Sequence, residues 1–323
     1  MPAPLTRREF LARSSTATVG AALGASGWAA ARSLADSGAP SQPPTVFRIR
    51  ADGVVIGRRI HRPMLAQMLE KGLSIATGKP NGIEAWRSIL RPDDVVGLKF
   101  NRSGADALGT TGALAETMID SLVAAGFDPS RLVPIEVPQA VYRDTKTARP
   151  DLGWQPEEAQ FGSGSDRLAA VLDQVTAIIN VPFVKTHNIA GLTCCLKNLS
   201  HALVKHPARY HENHCSPYVA DIVALPPIRT KLRLHLVNAL RIVFDGGPEP
   251  SEDSIHDAGA LFFTTDPVAM DTVALEEINL LRQSRALPTI VQGEGLLSYL
   301  TKASEHGLGC AEIHDISQKK AEL

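Results

Sequence analysis

The stretch Leu192–Cys215 holds three of the chain's four cysteines and four of its ten histidines. Imidazole and thiolate are ligands that transition metals prefer, and both groups, like a lysine amine, can also act as nucleophiles or bases. The stretch includes Lys197, and two more candidates, Lys185 and His187, lie just upstream in "VPFVKTH". This density of reactive side chains predicts a site for metal binding, for acid–base chemistry, or for both.

Lys185, His187 and Lys197 are the candidate catalytic residues. Lys197 and His201 lie four residues apart in the predicted helix "LTCCLKNLSHALV", so they share one helix face. A lysine near a helix start and another cation has a lowered pKa, which makes it a better nucleophile or base. A histidine titrates near neutral pH, so His187 is a candidate general acid or base. The alternative is that Lys197 is an ordinary exposed lysine.

His211, His214 and Cys215 are the candidate metal ligands. They form an H-x-x-H-C pattern that could hold a transition metal such as nickel, zinc or iron. The spacing matches neither C-x-x-C nor H-E-x-x-H, so it defines no standard zinc module. The alternative is a solvated polar loop.

Polar residues also follow several predicted strands. In open α/β sheets, ligands bind beyond the carboxyl ends of the strands. The candidate ligand-binding residues at these ends are Lys99 and Asn101 in "LKFN", Thr186 in "VKTH", Asp245 in "VFDGG" and Asp266 in "FTTD".

The elements that position these residues alternate between apolar strands and amphipathic helices. Helices are predicted at 62–78, 81–90, 111–127, 192–204 and 267–282, and strands at 93–100, 132–137, 176–183, 241–247 and 260–266. This alternation with short connections predicts an α/β fold with a mostly parallel sheet and flanking helices. The domain spans 46–323 and is either undivided or split into two lobes, about 46–150 and 151–323.

Three segments carry weaker signals. Asp52 and Gly53 predict a hairpin between strands at 46–51 and 54–57. The breakers in 142–166 predict a long loop, followed by a helix at 166–175. The stretch 229–240 favours a helix, although it could begin a strand.

The amino-terminal residues resemble a twin-arginine signal. "TRREFL" places Arg7 and Arg8 before a mildly apolar run, and Ala31 ends a small-residue cleavage site. Residues 1–31 are therefore expected to be a leader recognised by the twin-arginine translocase, and 32–45 a linker rich in Pro and Ser. The mature protein is then periplasmic or secreted, and the route suits a cofactor loaded before export. An ordinary secretory signal or a disordered tail is the alternative.

Composition excludes two classes of partner. Formal net charge is −1 and the basic residues form no long block, which speaks against nucleic acid. No stretch after the leader approaches the roughly 20 apolar residues of a membrane span, so no membrane contact is expected after cleavage. The adjacent Cys194 and Cys195 fit buried thiols better than a disulfide framework.

Beyond composition, "IINVPFVKTHNIAGLTCCLKNLSHAL", with "VVGLKFN" upstream and "TTDPVAMDTVA" downstream, resembles the DUF362 family. The resemblance covers roughly residues 45–305. Some members of that family carry cysteine runs that hold iron–sulfur clusters. This chain has no such run, so the resemblance implies no cluster here.

The same segment is similar to the nickel-pincer-nucleotide lactate racemases. In that family a histidine precedes, by ten residues, a lysine that holds the nucleotide covalently, and a later histidine ligates nickel. His187 and Lys197 keep this spacing, and His211 or His214 falls near the later position. The family's substrate-contacting basic residue would correspond to Arg102 or Lys99. Its second acid–base histidine has no counterpart in "VPIEVPQAVYRDT", which speaks against two-base racemisation.

Three functions remain open on the sequence. The first is an exported enzyme whose Lys/His site acts on a small anionic molecule, with or without a cofactor. The second is a periplasmic metal-binding protein without turnover. The third is a non-catalytic protein that binds a small anion.

Overall fold

The computed structural model describes residues 43–293 and 295–323. The predicted leader, 1–31, and nearly all of the linker, 32–45, lie outside the described residues. The strands are β1 (Thr45–Arg50), β2 (Val55–Ile56), β3 (Arg59–Ile60), β4 (Val96–Lys99), β5 (Leu132–Ile135), β6 (Trp154–Phe161), β7 (Gly164–Ala169), β8 (Ala177–Asn180), β9 (Phe183–His187), β10 (Gly191–Thr193), β11 (Leu232–Val243), β12 (Ile255–Thr264) and β13 (Ser317–Glu322).

The α-helices lie between and after these strands. They are α1 (Arg62–Thr77), α2 (Gly82–Ile89), α3 (Ala105–Leu108), α4 (Thr111–Ala124), α5 (Gln139–Thr145), α6 (Val171–Gln174), α7 (Cys195–Ser200), α8 (Tyr218–Val223), α9 (Pro226–Arg229), α10 (Pro267–Gln283) and α11 (Ser298–Glu305). Short 3₁₀ segments follow α7 at His201–Leu203 and Pro207–Cys215.

Nine strands form one sheet, in the order β13-β1-β12-β11-β8-β4-β5, and β9 also pairs with β11 while β10 pairs with β9. The pairs β4/β5, β4/β8, β8/β11, β9/β11 and β1/β13 are parallel, whereas β12 is antiparallel to both of its neighbours. The predicted α/β fold with a mostly parallel sheet is confirmed. Strands from both halves of the chain, 46–150 and 151–323, belong to this single sheet.

Helices cover both faces of the sheet, and each face has its own apolar core. Ile178 packs in the core formed with α7, α8, α10 and α11, whereas its neighbour Ile179 packs in the core formed with α1, α2 and α4. Successive strand residues point to opposite faces, and a parallel strand covered on both faces is apolar throughout. The continuous run "AIIN" in β8 has this pattern.

Helix α1 shows how local sequence sets the ends of an element. Pro63 lies in the first turn, and the His61 Nδ1 atom accepts a hydrogen bond from Met64 N. Gly78 ends the helix at φ 68°, in the left-handed region that glycine enters without strain. The helix predicted at 62–78 is therefore confirmed to within one residue.

Three local predictions are wrong. β1 pairs with β12 and β13, and the hairpin at this point is β2/β3 instead. The predicted loop 142–166 contains α5, β6 and the start of β7, and β7 also replaces the first part of the helix expected at 166–175. β6 has no buried residue and so lacks an apolar pattern in its sequence. Residues 232–243 form β11, because hydrogen-bonding strands on either side outweigh the helical periodicity of that stretch.

Among the described residues, no helix combines the length and apolar character that a membrane span requires.

Candidate functional site

The carboxyl ends of β4 and β5 place Lys99 next to Glu136. The Lys99 Nζ atom donates to Glu136 Oε2 at 2.8 Å and to Asn198 Oδ1 at 3.2 Å, and its side chain is 1% exposed. Glu136 also accepts from Arg102 N and has φ 62°. This left-handed conformation costs a non-glycine residue about 1–2 kcal/mol, so the surrounding contacts must hold the carboxylate in place.

Lys185 on β9 is fully buried and is surrounded by neutral oxygens. Its Nζ atom donates to Ser103 O at 2.6 Å, Ser103 Oγ at 3.0 Å, Asn101 Oδ1 at 3.2 Å and Pro248 O at 3.3 Å. Burial lowers the pKa of Lys185 to about 8; the Glu249 carboxylate acts in the opposite direction, and Lys197 lowers it further. These four acceptors fix the ammonium at the strand end.

His187 is held as a neutral imidazole with a defined tautomer. The β9–β10 turn aims Ile189 N and Ala190 N at His187 Nδ1, at 3.1 and 3.2 Å. Because Nδ1 accepts from two backbone N–H groups, the ring proton resides on Nε2. Burial, followed by the nearby Lys197, lowers the pKa of His187 to about 3. His187 therefore stays neutral near pH 7, and the expectation that it titrates there is wrong.

Helix α7 carries Lys197 and is shorter than the helix predicted at 192–204. Leu192 and Thr193 belong instead to β10, which pairs with β9. The Asp271 carboxylate of α10 accepts from the first two N–H groups of α7, Cys195 N at 2.6 Å and Leu196 N at 3.2 Å. This contact fixes the start of α7 against the core.

Lys197 is buried, with 6% of its surface exposed, so the alternative of an ordinary surface lysine is wrong. Its Nζ atom lies 3.3 Å from His211 Nε2. Burial lowers the pKa of Lys197 to about 8, whereas the nearby Cys215 acts in the opposite direction. The predicted direction of the shift agrees, but its cause is desolvation and not the helix start or another cation. Within residues 43–293 and 295–323, no carboxylate forms an ion pair with Lys197. We call Lys99, Lys185, His187, Lys197 and His211 the lysine–histidine site.

Asn198 ties the site to the sheet and was missed by the sequence analysis. Its Oδ1 atom accepts from Lys99 Nζ and from Asn101 Nδ2 at 2.9 Å, while its Nδ2 donates to Asn180 Oδ1 at 2.8 Å and to Lys99 O at 3.2 Å. All of its hydrogen-bonding capacity is thus used. Other residues that the sequence analysis missed are Ser103, Glu136 and Asn180, whereas His201 was named only as sharing a helix face with Lys197. The strand-end rule could have identified Glu136, which follows β5, and Asn180, which ends β8.

The predicted metal ligands are only partly brought together. His211 and Cys215 lie close to His201, with one potential ligand atom of each residue within 4.8 Å of the others. We call these three residues the imidazole–thiol cluster. His214 lies outside it, because it is exposed and its Nδ1 atom bonds Ile189 O at 2.9 Å. The left-handed backbone at His214, φ 54°, turns the chain between the two neighbouring candidates.

The remaining predicted ligand-binding residues have other positions. Arg102 is exposed. Thr186 Oγ1 accepts a hydrogen bond from Gly247 N at 3.0 Å. The two backbones are so close here that a β-carbon on Gly247 would lie 1.9 Å from Thr186 O. Asp245 pairs with Arg282 at 2.6 Å. Asp266 caps α10 by accepting from Ala269 N at 2.8 Å, and because β12 is antiparallel its carboxyl end lies at the opposite edge of the sheet. The expectation that Asp266 joins the other strand ends is therefore wrong.

The fold and site define an α/β protein in which three buried lysines and several neutral histidines meet at the carboxyl edge of parallel strands. Residues 154–276 match the family model described as "Domain of unknown function (DUF362)". The matched segment contains Lys185, His187, Lys197 and the imidazole–thiol cluster, and it supports the resemblance to that family. No curated protein matches the chain.

Proposed function

We propose that the protein is an exported enzyme that binds a small anion at the lysine–histidine site. One observation carries this proposal: the buried Lys197 ammonium has no carboxylate partner among the described residues, and its only hydrogen-bond partner there is the neutral His211. Buried charges in proteins are normally paired, since desolvation of an unpaired ion is costly. An anionic ligand would supply the missing countercharge.

The neighbouring groups reinforce this preference for an anion. Lys185 donates only to neutral oxygens, and Lys197 lies near enough to lower the pKa values of both Lys185 and His187. The fixed tautomer of His187 presents Nε2–H as a further donor. Because these side chains are almost inaccessible, the ligand is either a small anion or enters as the segment Pro207–Cys215 moves.

The same groups suit proton transfer. Lys197, with a pKa of about 8, can lose and regain a proton near neutral pH, whereas His187, with a pKa of about 3, acts only as a hydrogen-bond donor. We therefore assign Lys197 the proton-transferring role and His187 the role of orienting the anion. Lys185, held by four oxygen acceptors, contributes a positive charge below about pH 8.

The binding step is tested by thermal unfolding of the chelator-treated chain in phosphate, sulfate, oxalate or lactate, against chloride at equal ionic strength. A ligand at 100 times its Kd should stabilise the fold by about 2.7 kcal/mol. We expect at least one anion to raise the Tm of the wild type and of Lys79→Met, whose lysine is exposed, but not of Lys197→Met. Equal responses in wild type and Lys197→Met would overturn the assignment.

The catalytic step is tested by incubating lactate or another carboxylate with a C–H group next to the carboxylate in D2O and following its C–H signals by NMR. Exchange of the hydrogen adjacent to the carboxylate, absent with Lys197→Met, would support proton transfer. Binding without exchange or other conversion would instead identify a non-catalytic anion-binding protein. Intact mass under denaturing conditions, mapped to Lys197, distinguishes a free lysine from one that carries a covalent cofactor.

A metal-binding protein without turnover is the second candidate, and the imidazole–thiol cluster favours it. Conversion of an anion by chelator-treated protein would exclude this candidate.

A further inference from the structure

The imidazole–thiol cluster has an unsatisfied nitrogen at its centre. His201 Nε2 is buried and has no hydrogen-bond partner in the described part of the chain. A buried polar atom without a partner costs about 1–3 kcal/mol. Such an atom in a native fold requires an explanation, and a bound ion is one of the recognised explanations.

The tautomers of both histidines direct lone pairs into the cluster. The Ser200 hydroxyl donates to Lys197 O at 3.2 Å, so its oxygen accepts from His201 Nδ1 at 3.0 Å. His211 Nδ1 lies 3.2 Å from Pro207 O, and a carbonyl can only accept. Both rings therefore carry their proton on Nδ1 and a lone pair on Nε2. This arrangement, Nδ1–H bonded to an oxygen, is typical of metal-ligating histidines.

Cys215 completes the cluster from a strained part of the backbone. Asn213, His214 and Cys215 have consecutive φ values of 47°, 54° and 68°, each in the left-handed region. Each such residue costs about 1–3 kcal/mol, and strain of this kind accumulates at ligand sites. This backbone places the buried Cys215 thiol next to the imidazoles of His201 and His211.

We propose that His201 Nε2, His211 Nε2 and Cys215 Sγ bind a divalent transition metal, with zinc the best match. Tetrahedral zinc with bonds of about 2.0–2.3 Å holds its ligand atoms roughly 3.3–3.7 Å apart. The three ligand atoms lie within 4.8 Å of one another, so small side-chain movements would bring them to these separations. Three protein ligands leave the fourth position open, as in catalytic zinc sites. Lys197, 3.3 Å from His211 Nε2, must give up that contact when the metal binds.

A second cluster, Cys194, Cys195 and Asp271, is a poorer site. Both carboxylate oxygens of Asp271 already accept backbone N–H bonds from α7. A metal there would have to break the contact that fixes the start of the helix.

The test is a titration of the chelator-treated full chain with Co²⁺ and then Zn²⁺, without added anion. We expect one Co²⁺ per chain, with a thiolate-to-cobalt charge-transfer band in the near ultraviolet that Zn²⁺ abolishes. Cys215→Ser should lose the band, and His201→Ala should lower the metal affinity by at least about 100-fold. Because no anion is present, failure here leaves the anion-binding result unaffected.

Two matched variants keep the assignment falsifiable. His214→Ala removes an exposed histidine of the same segment, and Cys194→Ser removes a thiol of the second cluster; both should keep the band and the affinity. The assignment is overturned if the wild type shows no charge-transfer band, or if either matched variant loses metal as His201→Ala does. Circular dichroism confirms that each variant is folded, and Cys215→Ser provides a second ligand test if His201→Ala is not.

Discussion

Replacing Lys197 with Met should stabilise the metal-free protein while abolishing its response to anions. Methionine has a similar length but no charge, so it removes the desolvated ammonium without leaving a large cavity. A pKa lowered from 10.5 to about 8 corresponds to about 3 kcal/mol against the charged lysine in the fold. Losing the hydrogen bond to His211 destabilises the variant by about 1 kcal/mol, which offsets part of this gain.

The net gain in unfolding free energy at pH 7 is therefore about 2 kcal/mol, or a rise in Tm of roughly 4–8 °C. The stability advantage of the variant is largest below about pH 8 and falls to about zero near pH 10. Below about pH 8 the lysine is charged in both states and the full cost applies; between about 8 and 10.5 only the unfolded chain holds the proton, so wild-type stability rises and the advantage of the variant shrinks.

The assay is urea or thermal unfolding of wild type, Lys197→Met and the exposed control Lys79→Met, at pH 7 and at pH 10, in chloride buffer with chelator. A folded Lys197→Met that is less stable than wild type at pH 7, or no more stable than Lys79→Met, would refute the claim that Lys197 is an unneutralised buried charge. It would also remove the observation on which the proposed function rests.

Three other outcomes follow from the same contacts. Asn198→Ala should lower the unfolding free energy by about 3 kcal/mol in urea titrations, because Lys99 and Asn180 lose buried partners, whereas Asn81→Ala, at a surface helix cap, should cost about 1 kcal/mol. Anion-induced stabilisation should weaken above about pH 8, as Lys185 and Lys197 lose their protons, and a response constant to pH 10 would contradict this. Replacing Arg7 and Arg8 together with Lys should retain the protein in the cytoplasm in fractionation experiments, while a leader of another type would still direct its export.

Part of the site is determined by local sequence. Lys99, Lys185 and His187 end or follow apolar runs, and the parallel arrangement of those runs follows from their alternation with helices. The ends of α1 could be predicted equally well, because proline and glycine act on the backbone through their own covalent structure.

Other features depend on which elements become neighbours. β11 is a strand because β8 and β12 flank it, and Asp266 is removed from the site because β12 runs in the opposite direction. His201, and not His214, lies next to His211 and Cys215. The left-handed backbone at Asn213 and His214 turns the His214 side chain away from its two neighbours in sequence. None of these features could be predicted from a short segment of the sequence alone.

The sequence by itself therefore determined the α/β class, the segment that holds the reactive residues, and the types of chemistry that they can perform. Only the tertiary structure decided their charges and partners. Among the described residues Lys197 is a buried ammonium without a carboxylate partner, and His187 is a neutral donor, because the packed fold excludes water from Lys197 and backbone N–H groups occupy His187 Nδ1. Burial and pairing are properties of the packed fold, and they determine what each ionisable group can do.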